Sequence, residues 1–341
     1  MDDTCLAYRC HDQQGTIAAR LERVPVIPAD RLQPGDVSVR VAWSDINYKD
    51  ALAVTGTGRI MRRLPLTAGI DMAGVVDASS DARYRPGDAV AVIGCGLGEE
   101  HDGGYAERAV VKGDWIVPLP APLTLRDTMA IGTAGFTAAQ AIERLEDNGT
   151  HPGGGPIAVT GATGGVGSLA VALLARAGYR VSAITGKPDA EAYLRGLGAA
   201  EVLPAADVPE KTRPLEGARW AGAIDAVGGA TLHWLCATAQ PLGNVASVGL
   251  AGGHALTTTV MPFILRGVNL LGINSTYCPL PLRTRVWARL ARTVDRDLVE
   301  AVVSRTVDLA DLPGAFDGYT TRAVRGRTLV RVSGALGGRT L

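Results

Sequence analysis

The residues most able to do chemistry lie in Ile157-Ala-Val-Thr-Gly-Ala-Thr-Gly-Gly-Val-Gly-Ser168, where a short β-branched run meets a glycine-rich turn and then an apolar helix. Ala162 holds the first position of a G-x-G-x-x-G pattern, Gly164 lets the backbone approach a pyrophosphate, and Gly167 permits close packing of helix on strand. The helix that follows offers unpaired N–H groups and a positive partial charge to phosphate. A glycine pattern alone is weak, but strand, turn and helix together predict a dinucleotide site. At the end of the next strand, Ile184-Thr-Gly-Lys187 lacks the acid that would accept both adenosine ribose hydroxyls of NAD. A lysine stands where a 2′-phosphate would sit, so the cofactor expected is NADPH; a solvated turn lysine is the plainer alternative.

These residues need a sheet to position them. Ile157–Thr160, Val181–Thr185, Glu201–Leu203, Gly222–Ala226 and Asn244–Val248 are short apolar strands, with helical stretches such as Ser168–Ala177 and Ala190–Leu197 between them. That alternation predicts a doubly wound parallel sheet. Before it, Val37–Trp43, Ala73–Asp77, Ala89–Ile93 and Ala106–Val111 are strands bounded by turns such as Arg85-Pro-Gly-Asp88, which predicts an all-β module. Thr124-Leu-Arg-Asp127 reads as a capping box opening a helix that runs to about Arg144. A helix over Leu282–Val294 and a strand over Arg327–Val332 follow the parallel sheet.

Composition sets the boundaries. Thirty-four basic residues balance 34 acidic ones in 341, so no global field draws nucleic acid or an anionic membrane. The charged first 15 residues predict no secretory signal, and a cytoplasmic protein is expected. Residues 226–265 carry no formal charge, yet repeated glycine and proline make them buried sheet, not a membrane span. Five scattered cysteines show no C-x-x-C pair, and His11, His101, His151, His233 and His254 show no ligand spacing with them, so neither disulfides nor a metal is expected.

The chain resembles the acrylyl-CoA reductase branch of the quinone-oxidoreductase-like medium-chain dehydrogenases/reductases. The likeness runs through Ser44-Asp-Ile-Asn-Tyr-Lys-Asp50, Gly69-Ile-Asp-Met-Ala-Gly74, Asp102-Gly-Gly-Tyr-Ala-Glu107, Lys112-Gly-Asp-Trp115, Gly132-Thr-Ala-Gly-Phe-Thr137, Gly249-Leu-Ala-Gly-Gly253 and Thr258 to Arg266. It implies an α/β protein: a GroES-like β domain plus a doubly wound parallel Rossmann domain. Residues 1–126 would form the GroES-like catalytic domain, 127–300 the NADPH-binding domain, and 301–341 a return to the first. The zinc members carry Gly-His-Glu where Gly69-Ile-Asp71 stands, so the resemblance implies a zinc-independent enzyme. Asp102, Tyr105 and Asn274 depart from the pattern, which expects an apolar or aromatic residue at the first two and an acid at the third.

By the same resemblance, the catalytic candidates are Asn47, Tyr48, Asp50, Asp71 and Arg327. Asn47 could donate to a substrate carbonyl, Tyr48 could donate or protonate, and Arg327 could hold the acids; a purely structural polar network is the alternative for all but Tyr48. Cofactor contacts would come from Ala162, Thr163, Gly164, Gly165, Val166, Gly167, Thr185, Gly186 and Lys187, joined by Thr133, Thr137, Tyr193, Val227, Gly249, Leu250 and Ala251. Arg59, Arg62 and Arg63, with Lys49, could meet coenzyme A phosphates or be a solvated run. Asp225 could face the ligand crevice or only cap the next helix. The implied activity is NADPH-dependent reduction of the C=C bond of a short 2-enoyl-CoA. An NADPH:quinone or enone oxidoreductase is the near alternative, and a non-catalytic NADPH-binding protein the distant one. The apolar run Val268–Ile273 resembles a last Rossmann strand that relatives pair in a homodimer.

Overall fold

A computed structural model describes residues 3–333. In chain order its strands are β1 Thr4–Gln13, β2 Thr16–Pro25, β3 Asp36–Ile46, β4 Leu66–Thr67, β5 Asp71–Ser79, β6 Ala89–Ile93, β7 Arg108–Lys112 and β8 Val117–Pro118. They continue with β9 Ile157–Thr160, β10 Val181–Thr185, β11 Glu201–Pro204, β12 Trp220–Asp225, β13 Ala239–Ser247, β14 Asn269–Gly272, β15 Val303–Asp308 and β16 Arg327–Arg331. The helices are α1 Tyr48–Val54, α2 Leu125–Asp147, α3 Gly165–Arg176, α4 Glu191–Gly196, α5 Gly229–Thr238, α6 Met261–Arg266, α7 Leu280–Thr293, α8 Arg296–Val302 and α9 Asp317–Thr320. Two compact units result, one from Met1–Thr133 with Val303–Leu341, the other from Ala134–Val302.

The first unit is built on a sheet of order β15-β16-β3-β5-β6-β8, with β7 also paired to β3. β3 is buried on both faces, so its polar residues Ser38, Ser44 and Asp45 are enclosed along with its valines. β16 pairs antiparallel with the end of β3, so Thr328 lies opposite Ile46 and Leu329 opposite Asp45. Valines of β3, β5 and β6 pack with Met72, Leu97, Tyr105, Phe316 and Val330 into one core.

A hairpin of β1 and β2 was absent from the sequence expectation. Its register pairs Gln13 with Thr16, leaving a two-residue turn in which Gln14 and Gly15 both have positive φ, 56° and 84°. That is the geometry of a type I′ hairpin turn, normally announced by Asn-Gly or Asp-Gly. Glutamine in the first turn position hides it.

The second unit holds a parallel sheet of order β11-β10-β9-β12-β13-β14. Numbered from its first strand this is 3-2-1-4-5-6, the doubly wound order, with its switch point between β9 and β12. Three expected strands match their observed bounds: β6, β9 and β10. The capping box at α2 also forms, Asp127 N–H donating to Thr124 Oγ1 and Thr124 N–H to Asp127 Oδ2. The expected helix from there is interrupted, because Gly132 takes φ 50° and ψ −161°, outside helical space.

Candidate active site

The start of α1, β5 and β16 bring four of the five catalytic candidates together in the first unit. Asn47, Asp50, Asp71 and Arg327 are all buried, and the structure adds Asp45, which was missed in the sequence. The Asn47 amide donates to Asp45 Oδ1 at 2.7 Å and to Asp71 Oδ2 at 2.9 Å. Arg327 ion-pairs with Asp45, donates from Nη1 to Asn47 Oδ1 at 3.2 Å and from Nε to the Ala130 carbonyl at 3.1 Å. Asp71 accepts from both Thr133 N–H at 2.7 Å and Thr133 Oγ1 at 2.6 Å. Asp50, at the first turn of α1, accepts the N–H groups of Asn47 and Ile70 at 2.8 and 2.9 Å. Burial, with the Asp71 charge behind it, pushes the Asp50 carboxyl up to about 7.

Two consequences follow for the candidates. Both amide hydrogens of Asn47 are used inside this network, and the Thr133 N–H and hydroxyl are used on Asp71. Tyr48 differs: it is half-buried, and its hydroxyl has no protein hydrogen-bond partner among the described residues. The network is packed against the break in α2, since a Cβ added at Gly132 would overlap Asp45 Oδ2 and come within 2.6 Å of Arg327 Nη2. Only glycine fits there.

The departures at positions 102 and 105 are structural. Tyr105 is fully buried and donates to the Asp45 carbonyl at 2.9 Å, while Asp102 accepts the Thr67 N–H at 2.8 Å. The basic run is matched by acids: Lys49 by Glu99 at 2.9 Å, Arg62 by Glu100 at 2.9 Å, and Arg63 by Asp102 at 3.7 Å. Among the described residues Arg59 alone of the cluster has no acid partner, and the pairing of the other three favours the solvated-run reading.

In the second unit the cofactor candidates converge at the carboxyl ends of β9, β10, β12 and β13, where open α/β sheets hold ligands. Gly161 turns the chain at φ 58°. Gly167 is locked by packing, since its Cβ would overlap Gly161 O and lie 2.6 Å from Ala162 Cα. Gly164, the cap of α3, is different. It brings no side chain to the first turn, and a Cβ there would meet only Gly161 O at 3.4 Å. The open space above Gly164 and the uncapped N–H groups of Gly165, Val166 and Gly167 fit a pyrophosphate. Thr163 is buried beside them.

Around this loop, Thr160 Oγ1 donates to Asp225 Oδ1 at 2.5 Å, tying the two strands of the switch point. Asp225 also accepts the N–H groups of Val227 and Gly228 ahead of α5, so it shapes that turn and does not face outward. Val227 and the Gly249-Leu250-Ala251 segment meet through Ala251 N–H to Ala226 O at 3.2 Å and Gly252 N–H to Val227 O at 2.7 Å. Thr185 Oγ1 accepts the Lys187 N–H at 3.1 Å across Gly186. Tyr193 donates to Ser168 Oγ at 2.9 Å and thereby braces α4 on α3. Thr137 donates to Ser275 Oγ at 2.8 Å. Arg266 donates to the carbonyls of Glu216, Ala237 and Ala239, closing the end of α5.

Comparison with known proteins decides the family. Residues 33–121 match the alcohol dehydrogenase GroES-like domain and residues 165–292 the zinc-binding dehydrogenase domain. Acrylyl-CoA reductase AcuI of Ruegeria pomeroyi is 49% identical over 303 residues, 89% of this chain and 92% of that protein. The chain belongs to the medium-chain dehydrogenase/reductase superfamily. Within it, a Bacillus subtilis relative with a provisional quinone oxidoreductase name, YhfP, is 46% identical over 310 residues, 91% of this chain and 94% of its own. The solved structure of that protein with NAD bound has a TM-score of 0.91 at 43% identity, covering 97% of this chain and 100% of that one. The yhdH oxidoreductase of Salmonella enterica in complex with NADP also reaches 0.91, at 47% identity, covering 96% and 100%.

This medium-chain reductase departs from the metal in its domain's description. Ile70 is a buried aliphatic residue, Asp71 is already bonded to Asn47 and Thr133, and no cluster of three His, Cys, Asp or Glu side chains among the described residues could hold a metal ion. Zinc does not fit these side chains. No helix among the described residues is long and apolar enough to cross a membrane.

Proposed function

We propose that this reductase uses NADPH to reduce the C=C bond of a short 2-enoyl-CoA, converting acrylyl-CoA to propionyl-CoA. The observation that carries the reading is an intact phosphate cradle, Gly161 to Gly167, in a chain half-identical to a named acrylyl-CoA reductase over nine-tenths of its length. NADPH, when bound, would supply a hydride for the β-carbon of the activated alkene, and a proton taken up from water would complete the α-carbon. Negative charge then builds on the thioester carbonyl oxygen, and a preorganised donor must meet it. Tyr48 is that donor in this reading, because it is half-buried where the other four candidates are buried, and its hydroxyl has no partner among the described residues. Asn47, Asp50, Asp71 and Arg327 act behind it as the framework of β3, β5 and α2. Tyr48→Phe should lower kcat and kcat/KM together by about 100-fold, the effect of losing one oxyanion donor. Asn47→Ala should chiefly lower thermal stability. Unchanged turnover in Tyr48→Phe would remove Tyr48 from the mechanism.

Cofactor choice rests on Lys187, which follows β10 where a ribose-binding acid is absent. Lys187→Ala should raise KM for NADPH by about tenfold and leave that for NADH nearly unchanged, as expected for one lost charge-assisted contact. Equal use of NADH and NADPH by the unaltered protein would overturn the preference. A quinone or enone oxidoreductase is the second reading, favoured by the likeness to YhfP. Initial rates on acrylyl-CoA, crotonyl-CoA, a quinone and an enone separate the two, and acrylyl-CoA turning over no faster than the quinone would replace the first by the second.

The expected assembly is a homodimer. β14 is the outer strand of its sheet, Leu270 on it is exposed, and nearby Ile264 and Leu265 of α6 are 71% and 60% exposed. An unpaired apolar strand edge is a liability unless a second copy covers it. Light scattering at micromolar concentration should give twice the chain mass; a monomer would count against the pairing. The setting proposed is the cytoplasm, where the five cysteines, all free thiols, would stay reduced.

A further inference from the structure

The buried cluster around Gly132 holds more acid than base. Asp45, Asp50 and Asp71 meet one guanidinium, Arg327, and all four side chains are at most 2% exposed. The other titratable groups facing them are two phenols and the Cys10 thiol of β1, which burial and then the Asp50 charge push up to about 12. Tyr105 donates to the Asp45 carbonyl and Tyr319, on α9, to the Ile46 carbonyl. Burial holds the Tyr105 phenol well above its ordinary value and pushes that of Tyr319 up to about 12, so both are neutral. Three ionised carboxylates with one cation would leave two uncompensated charges in the interior, a state that proteins avoid by taking up a proton.

Geometry says where the proton goes. Asp45 and Asp71 both sit on the Asn47 amide, at 2.7 and 2.9 Å, and both turn an oxygen to the same spot beside Gly132, where an added Cβ would lie 1.9 Å from Asp45 Oδ2 and 2.9 Å from Asp71 Oδ2. Two carboxyl groups held this close in the interior do not both stay ionised against one cation, and a protonated carboxyl can donate where an ionised one only accepts. We propose that Asp45 and Asp71 share one proton at neutral pH, forming with Arg327 an electrically neutral triad that fixes the backbone break at Gly132. Arg327 donates to the Met129 and Ala130 carbonyls on one side of the break, and Asp71 holds the Thr133 N–H and hydroxyl on the other. Losing the proton leaves one negative charge unmatched and loosens Met129 to Thr133.

The pH dependence has a definite sign. Burial first, and then the Asp71 charge, hold the Asp45 carboxyl well above the carboxylate range, and Asp50 has no cation in contact and lies near 7. The native state therefore keeps protons that the unfolded chain releases at about pH 4. Stability contributed by this cluster is fully present below that value and is lost as pH rises through neutrality.

Infrared spectroscopy and hydrogen exchange test the triad. Asp50→Asn protein at neutral pH should show a carboxylic-acid carbonyl band that disappears when Asp45→Asn is added. Asp45→Asn keeps a neutral group able to donate to Asp71. It should leave the Thr133 amide protected and flatten the loss of protection toward alkaline pH, whereas Asp45→Ala should speed exchange there by about tenfold, the effect of one lost charge-assisted hydrogen bond. Equal loss of protection in Asp45→Asn and Asp45→Ala would mean that an ionised Asp45 is required, and would overturn the shared proton. So would the absence of any carboxylic-acid band in Asp50→Asn, a result that stands even if Asp45→Asn does not fold.

Discussion

Replacing Arg327 with leucine is expected to destabilise the first unit by about 4 kcal/mol, because it removes the only cation that the described residues place among three buried carboxyl groups. The side chain is 2% exposed, so water cannot take over its role. Its loss also leaves the Ala130 carbonyl and the Asn47 amide oxygen without their donor. The chain has two units, and a single unfolding midpoint would blend them. Hydrogen exchange of β3 and β16 amides reads the right one. A change below about 1 kcal/mol would place Arg327 among ordinary surface pairs and discard the framework role.

Gly167→Ala is expected to weaken NADPH binding by about 100-fold, the scale on which an ångström of misplacement acts in an oriented site. The added methyl group would overlap Gly161 O and crowd Ala162 Cα at 2.6 Å, so α3 and the phosphate turn must move apart. Gly164→Ala is the informative companion. Its backbone already has an ordinary φ of −75°, and nothing in the protein lies closer to the new methyl group than Gly161 O at 3.4 Å. The fold should tolerate it, and any loss of binding must then come from a clash with the ligand. Fluorescence titration with NADPH measures both, and full affinity in Gly164→Ala would mean that the pyrophosphate does not lie over that residue.

The parallel sheet was legible because its strands are short, apolar and separated by helices, and because each ligand-facing loop begins at a strand's carboxyl end. Ile157–Thr160 and Val181–Thr185 were readable to the residue for that reason. The β1–β2 hairpin was not, since Arg9, His11 and Asp12 break its alternation and Gln14 occupies a positive-φ turn position that asparagine or glycine normally signals. The catalytic candidates were legible as residues through the family motifs but not as a network. Asn47 and Asp71 are 24 positions apart, and Asp45 and Arg327 are 282 apart, so no local pattern reveals that they meet. Asp45 was passed over for the same reason: within Ser44-Asp-Ile it reads as one polar residue in a strand.

The pairing of β16 with β3 also orders the synthesis of the protein in time. The dinucleotide-binding unit is one continuous stretch, Ala134–Val302, and has every strand of its sheet before the ribosome reaches β15. The first unit must wait: Trp43 to Ile46 on β3 find Thr328 to Arg331 only after nearly the whole chain has emerged. Until then that part of β3 presents unpaired backbone and Asp45 has no counter-ion, a combination that invites strand-edge association. A chain released a few residues before Arg327 would therefore contain a complete cofactor-binding unit joined to an aggregation-prone one.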